Sequence, residues 1–278
     1  MENIYKRFEN IREFNAYLEN GTVQPAFNKN SWEREDPSWT GTQNFEEAQN
    51  KLLFGDKDLL DAVENEGVKK TRANIHKFIQ RRQTFSSVVG FAPNVPAYLA
   101  GAPNSMIAQR YVKTRAKVVN VLFNGGFDCS VKTEDSIRVC AKVLSAIMML
   151  EASGTRVNLY TSIISTVNAW SKRKNEKQTA AAVVKIKDSK NALDVLRVIY
   201  PTVNPSWVRR HFLKFIGITE GLSDDFSSGF GSPVTTKEQR AEICEALKIK
   251  NAVVLDFYEI RNKTTEEVLK SITGEAKK

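Results

Sequence analysis

The chain has 278 residues and a mass of 31.3 kDa, with 41 Lys and Arg against 32 Asp and Glu, a formal charge of +9. Its 41% hydrophobic and 26% charged residues are ordinary for a globular chain long enough to bury a sizeable core. The charged N-terminus and the lack of a long apolar run predict neither a secretory leader nor a membrane span. The separated cysteines Cys129, Cys140 and Cys244 exclude a disulfide scaffold and a zinc finger.

Residues 1–66 carry 7 basic and 14 acidic side chains and predict an acidic, mainly helical segment packed on a basic core spanning 67–278. Tyr5, Phe8, Ile11, Phe14 and Leu18 fall at helical spacing. A polar stretch with Trp32 and Trp39 follows, then a short helix from Phe45 with Glu46 and Glu47 in its first turn. Residues 68–85 predict a basic amphipathic helix, with Val68, Ile75, Phe78 and Ile79 inward and Lys70, Asn74, Lys77 and Arg81 in one stripe. The stretch 91–106, with three prolines, predicts an irregular apolar loop.

The centre is the most legible part. Strand 117–123, a helix from Thr133 to about Ala152 and strand 156–163 form a unit that implies a right-handed crossover and a parallel pair. Further elements are expected at 181–187 (strand), 191–200 and 204–216 (helices, the second punctuated by Pro205 and Gly217), 235–248 (helix), 252–257 (strand) and 264–272 (helix), with 218–234 a loop. The alternation predicts an α/β fold, a three-layer sheet with helices on both faces.

Charge is segregated along the chain. From Gly67 to Phe127 there are 10 basic residues and no Asp or Glu, and residues 152–219 carry 12 basic against 3 acidic. Like charges in proximity repel, so 61 residues without a carboxylate point to a polyanionic partner, nucleic acid first. The expected groove is lined by Lys70, Lys77, Arg81, Arg110, Lys113, Lys172, Arg173, Lys174 and Arg210. Tyr111 and Trp170, in or beside loops, are candidates for stacking on unpaired bases, which single strands offer and duplexes do not. Phe78 and Phe212 read as core.

Asp128-Cys-Ser130, between a strand and a helix, is similar to the D-x-S start of a von Willebrand A-type metal site and suggests such a core. Lys132 stands where a second Ser would be expected, and a cation there disfavours Mg²⁺, so no metal and no cofactor are expected. Gly125-Gly126 lacks the spacing of a phosphate loop, and Asp224-Asp225 has no supporting ligand. No catalytic constellation emerges, and an enzyme is not expected.

Three passages carry a family resemblance: Trp39-Thr-Gly-Thr-Gln-Asn-Phe-Glu-Glu-Ala48, Val95-Pro-Ala-Tyr-Leu-Ala-Gly-Ala-Pro103 with Met106, and the 117–163 unit. Through them the chain resembles the single-stranded-DNA-binding RNA polymerase cofactors of N4-like bacterial viruses. That resemblance implies binding to locally opened DNA in the host cytoplasm and recruitment of a phage-encoded RNA polymerase; the α/β pattern does not suggest the oligonucleotide-binding barrel usual for this task. The acidic segment would be a docking surface or a competitor for the groove. A von Willebrand A-like protein-interaction module and an RNA-binding protein are the alternatives.

Overall fold

The structure is a computed structural model and describes residues 2–75, 83–110, 117–127, 130–169, 176–233 and 235–275. The chain opens on β1 (Ile4–Phe8) and continues through α1 (Ile11–Asn20), α2 (Asn30–Glu33), α3 (Pro37–Thr40) and α4 (Phe45–Phe54). The helical spacing from Tyr5 is therefore interrupted. Asn10 is extended, its side chain accepts from the Glu13 N–H, and the helix begins only at Ile11. The acidic segment thus supplies a strand as well as helices.

One helical path then runs through α5 (Lys57–Val63), a π-turn (Glu64–Val68) and α6 (Lys69–Asn74), so the expected 66/67 boundary falls inside a helix. Gly67 sits in that turn at φ 154°, a backbone that a side chain would resist. The basic helix expected over 68–85 does not reach its predicted end, because Gln83 already begins β2 (Gln83–Ser87). With β3 (Ala92–Pro93), α7 (Val95–Leu99) and β4 (Met106–Arg110) it forms a small antiparallel sheet of order β2-β4-β3 in place of a loop. No residue from 84 to 109 is buried, and Val89 and Leu99 are 78% and 79% exposed.

The central unit has the expected elements, β5 (Val118–Asn124), α8 (Thr133–Ala152) and β6 (Arg156–Ala169), with β5 and β6 parallel, but β6 runs well past its expected end at 163. β7 (Glu176–Lys187) returns antiparallel to β6. Next come α9 (Val195–Val203), a second π-turn (Trp207–Phe212), α10 (Leu213–Ile218), a 3₁₀ turn (Asp224–Ser228), α11 (Lys237–Ala246), β8 (Ala252–Asp256), α12 (Phe257–Arg261) and α13 (Thr265–Glu275). The main sheet has the order β1-β7-β6-β5-β8; β1 lies parallel to β7 and β8 parallel to β5.

Helices cover both faces of this sheet, very unequally. Alternate residues such as Val121, Phe123, Ile163, Ala182 and Val184 pack under α1, α4, α8 and the helices of 195–218. The opposite face, with Leu122, Tyr160, Ile164 and Val183, meets Ile243 and Cys244 of α11 and the nearby Ile249. Among the described residues no helix is long and apolar enough to cross a membrane.

Candidate nucleic-acid interface

The expected cations are dispersed in what can be described. Lys70 is exposed on α6. Arg110 ends β4 and pairs through its backbone with Gln83. Lys77, Arg81, Tyr111, Lys113, Trp170, Lys172, Arg173 and Lys174 lie outside the described residues, as does Phe78. Among the described ion pairs, the carboxylates of 1–66 mostly take cations of the same segment: Arg7 with Glu9, Arg34 with Asp36, and Lys51 with Glu47, Asp56 and Asp58. Only Glu64 with Arg72 and Glu9 with Lys185 reach beyond it.

Arg210 is a correction. It is 0% exposed, and its guanidinium donates to Trp32 O, Arg34 O, Thr40 Oγ1, Thr42 O and Thr42 Oγ1 over 2.7–3.0 Å. Burial pulls its pKa below the usual arginine value. It staples the second π-turn to the 32–42 stretch, and its complete burial closes it to a phosphate. Lys214, four residues on, lies 4.4 Å over the Phe45 ring. The reason is the helix type. An i→i+5 turn inserts a residue relative to an α-helix, so the wheel that correctly keeps Phe212 in the core misplaces Arg210, which turns inward as well.

The carboxyl ends of β5 and β8 meet in a closed polar network. Asn124 Nδ2 donates to Asp256 Oδ2 at 2.9 Å, and Ser162 Oγ donates to Asn124 Oδ1 at 3.3 Å. Arg240 Nη1 reaches Asp256 Oδ2 at 2.9 Å and Nη2 reaches Glu259 at 2.6 Å. A side-chain cation thus already neutralises the carboxylates at this strand end. Asp128 lies outside the described residues, Ser130 is exposed, and α8 starts at Thr133 with Lys132, not Thr133, at the cap position. Among the described residues no three His, Cys, Asp or Glu side chains converge to hold a metal ion.

Beside this network opens a cavity of about 580 Å³, in the size range of small-molecule sites. It lies between the N-terminal layer (Asn30, Ser31, Arg34, Trp39), the end of β5 (Phe127), β6 (Ile163, Ser165) and the second π-turn (Arg209, Phe212). One wall alternates cation and ring. Arg34 lies 5.4 Å from the Trp39 ring centre, Arg209 lies 5.0 Å from it on its own account, and Arg209 is 5.9 Å from Phe127. Arg209 is held in place by donating from Nη1 to Trp39 O.

The opposite lip is the turn 229–231, where Gly229, Phe230 and Gly231 all have positive φ (132°, 61° and 79°). Such backbone is strained for Phe230 and persists because the surroundings fix it. Ser165 Oγ donates to Phe230 O, Thr166 and Ser232 bridge through their backbones, and a Cβ on Gly231 would stand 2.5 Å from Ser165 Oγ. Sequence reasoning missed this site. Arg34 and Trp39 are far in sequence from Arg209 and Phe230; the only signal was the presence of Trp39 in a passage already singled out.

No curated protein and no solved structure matches the chain. The family described as a domain of unknown function, DUF7192, matches residues 2–276, nearly the whole length. The chain therefore belongs to the DUF7192 family.

Proposed function

We propose that the protein is a non-enzymatic single-stranded-DNA-binding protein of a bacterial virus that recruits the phage RNA polymerase to locally opened promoters. The observation that carries this reading is the run of 61 residues, 67–127, with ten cations and no carboxylate. The described part of the run adds support: Lys70 is exposed, and Glu47, Asp56 and Asp58 of the acidic segment pair with Lys51 of that same segment. In the finer reading of the fold, the core is von Willebrand A-like: β5 followed by α8 and a central β6, an antiparallel β7 outside β6, and β8 at the edge beside β5. The strand end holds Arg240 against Asp256, which favours a module that works without a divalent ion.

The test is an anisotropy titration with oligo(dT) and duplex DNA across a tenfold range of salt. About four phosphate contacts at a slope of about −0.7 each weaken single-strand binding by nearly three decades. A salt-independent affinity, or a preference for duplex, overturns the reading; an RNA strand of matching sequence as competitor tests the choice of DNA. Polymerase docking on the acidic segment is probed by charge reversal at the exposed Glu35 and Glu46, because truncation would remove β1 from the sheet. Loss of polymerase binding with unchanged DNA affinity is the expected outcome.

A further inference from the structure

We propose that the cavity between Trp39, Arg209, Phe127 and Phe230 captures one unstacked nucleotide, its base against the cation–ring wall and its phosphate toward Arg34. The proposal rests on the single-strand reading for its source of nucleotides and deepens it by naming where a base would go. Three independent observations carry it.

The first is chemical selection. The cavity is lined by aromatic and aliphatic side chains together with two guanidiniums and the neutral polar Asn30, Ser31 and Ser165, and by no Asp, Glu or Lys. A planar, polarisable, anionic ligand satisfies both halves of that lining; a purely apolar ligand would leave the arginine charges poorly solvated, and a simple anion would leave the rings unused. A guanidinium that stacks on one ring can stack on a base by the same geometry.

The second is preorganisation. Arg209 is 7% exposed and fixed by its bond to Trp39 O, whereas Arg34, the outer cation, has a side chain 58% exposed and, among the described residues, takes Asp36 at 3.0 Å as its ion-pair partner. The inner cation is thus rigid, and the outer one can exchange its carboxylate for a phosphate. The lip is rigid as well: three consecutive positive-φ residues are pinned to β6, and the Phe230 ring is braced at 6.1 Å by Phe27. Strain concentrated in a lip of this kind is expected at a ligand clamp.

The third is position. The cavity lies at the carboxyl end of β5, where neighbouring parallel strands β6 and β8 lead off in opposite directions, the crevice in which open α/β sheets hold ligands.

The experiment is a cycle of two proteins and two strands. Trp39→Leu is expected to weaken oligo(dT) binding about tenfold and to leave binding of an all-abasic strand of the same length unchanged. Equal losses on both strands, or no loss on either, overturn the proposal while the salt-dependent single-strand reading survives. If Trp39→Leu fails to fold, the surface change Arg34→Gln takes its place, with a several-fold loss expected on oligo(dT) and less on the abasic strand. Titration with free dTMP separates the two sources of the ligand. Binding of dTMP that Arg34→Gln weakens, with no binding of single strands, upholds the cavity as a mononucleotide site and overturns the single-strand reading. Absence of both overturns the two together.

Discussion

Arg209 and Arg210 are adjacent in sequence, yet one lines a cavity and the other lies wholly inside the fold. The difference is what each finds to donate to: Arg210 is surrounded by hydroxyl and carbonyl oxygens, and removing it would strand several of them without water. Arg210→Met should therefore lower stability by about 3 kcal/mol or more in urea denaturation, with DNA affinity of the folded variant changed less than twofold. The next residue, His211, makes the opposite kind of contact. Its ring lies among Phe45, Tyr200 and Trp207 at 5.2–5.9 Å, and burial pushes its pKa down to about 3, with Lys214 and Arg210 acting in the same direction. An unfolded imidazole titrates near 6.5, so between the two values the unfolded chain binds the extra proton. The stability that follows is complete above about pH 6.5 and is lost as pH falls toward 3, at about 1.4 kcal/mol per pH unit. His211→Phe should flatten the urea midpoint between pH 6 and 4 relative to the parent; an unchanged slope would mean the imidazole is not the group responsible.

Among the elements, those with one period were readable from the sequence and those with two were not. In α8 the apolar positions fit a single 3.6-residue period and β5 is a short apolar run, so these two emerged with nearly correct bounds, whereas the 14-residue β6, interspersed with Asn, Ser and Thr, runs on past 163. The stretch from Tyr5 to Leu18 satisfies helix spacing, but its first five residues extend because β7 offers them an edge, a non-local fact that no local pattern contains. The 83–110 sheet was hidden by its prolines and by burying nothing, so no hydrophobic alternation marks it. The cavity stayed hidden for a third reason, the π-turn that rotates 207–212. Gly217 belongs here too. It reads as a helix stop, yet it lies inside α10, where a Cβ would stand 2.6 Å from the Trp32 ring. Gly217→Ala should cost about 1–3 kcal/mol through overpacking, and less in a Trp32→Leu background, as a thermal-denaturation cycle would register.

Across the whole molecule, the charge segregation visible in the sequence does not become two bodies, because β1 is an integral strand and the 32–42 stretch encloses Arg210. Composition reported which stretches carry which sign; the folding together of first and last thirds needed coordinates. That interlocking also has a temporal side. Ile4 to Phe8 pair with Ala180 to Val184, so the ribosome must deliver some 176 further residues before the leading strand finds its neighbour. At about 5–20 residues per second, the nascent N-terminus waits roughly 10–35 s with an unsatisfied strand edge. Its acidic side chains, repelling one another, are well suited to keep that waiting segment from aggregating, a role in biogenesis separate from any the finished protein performs.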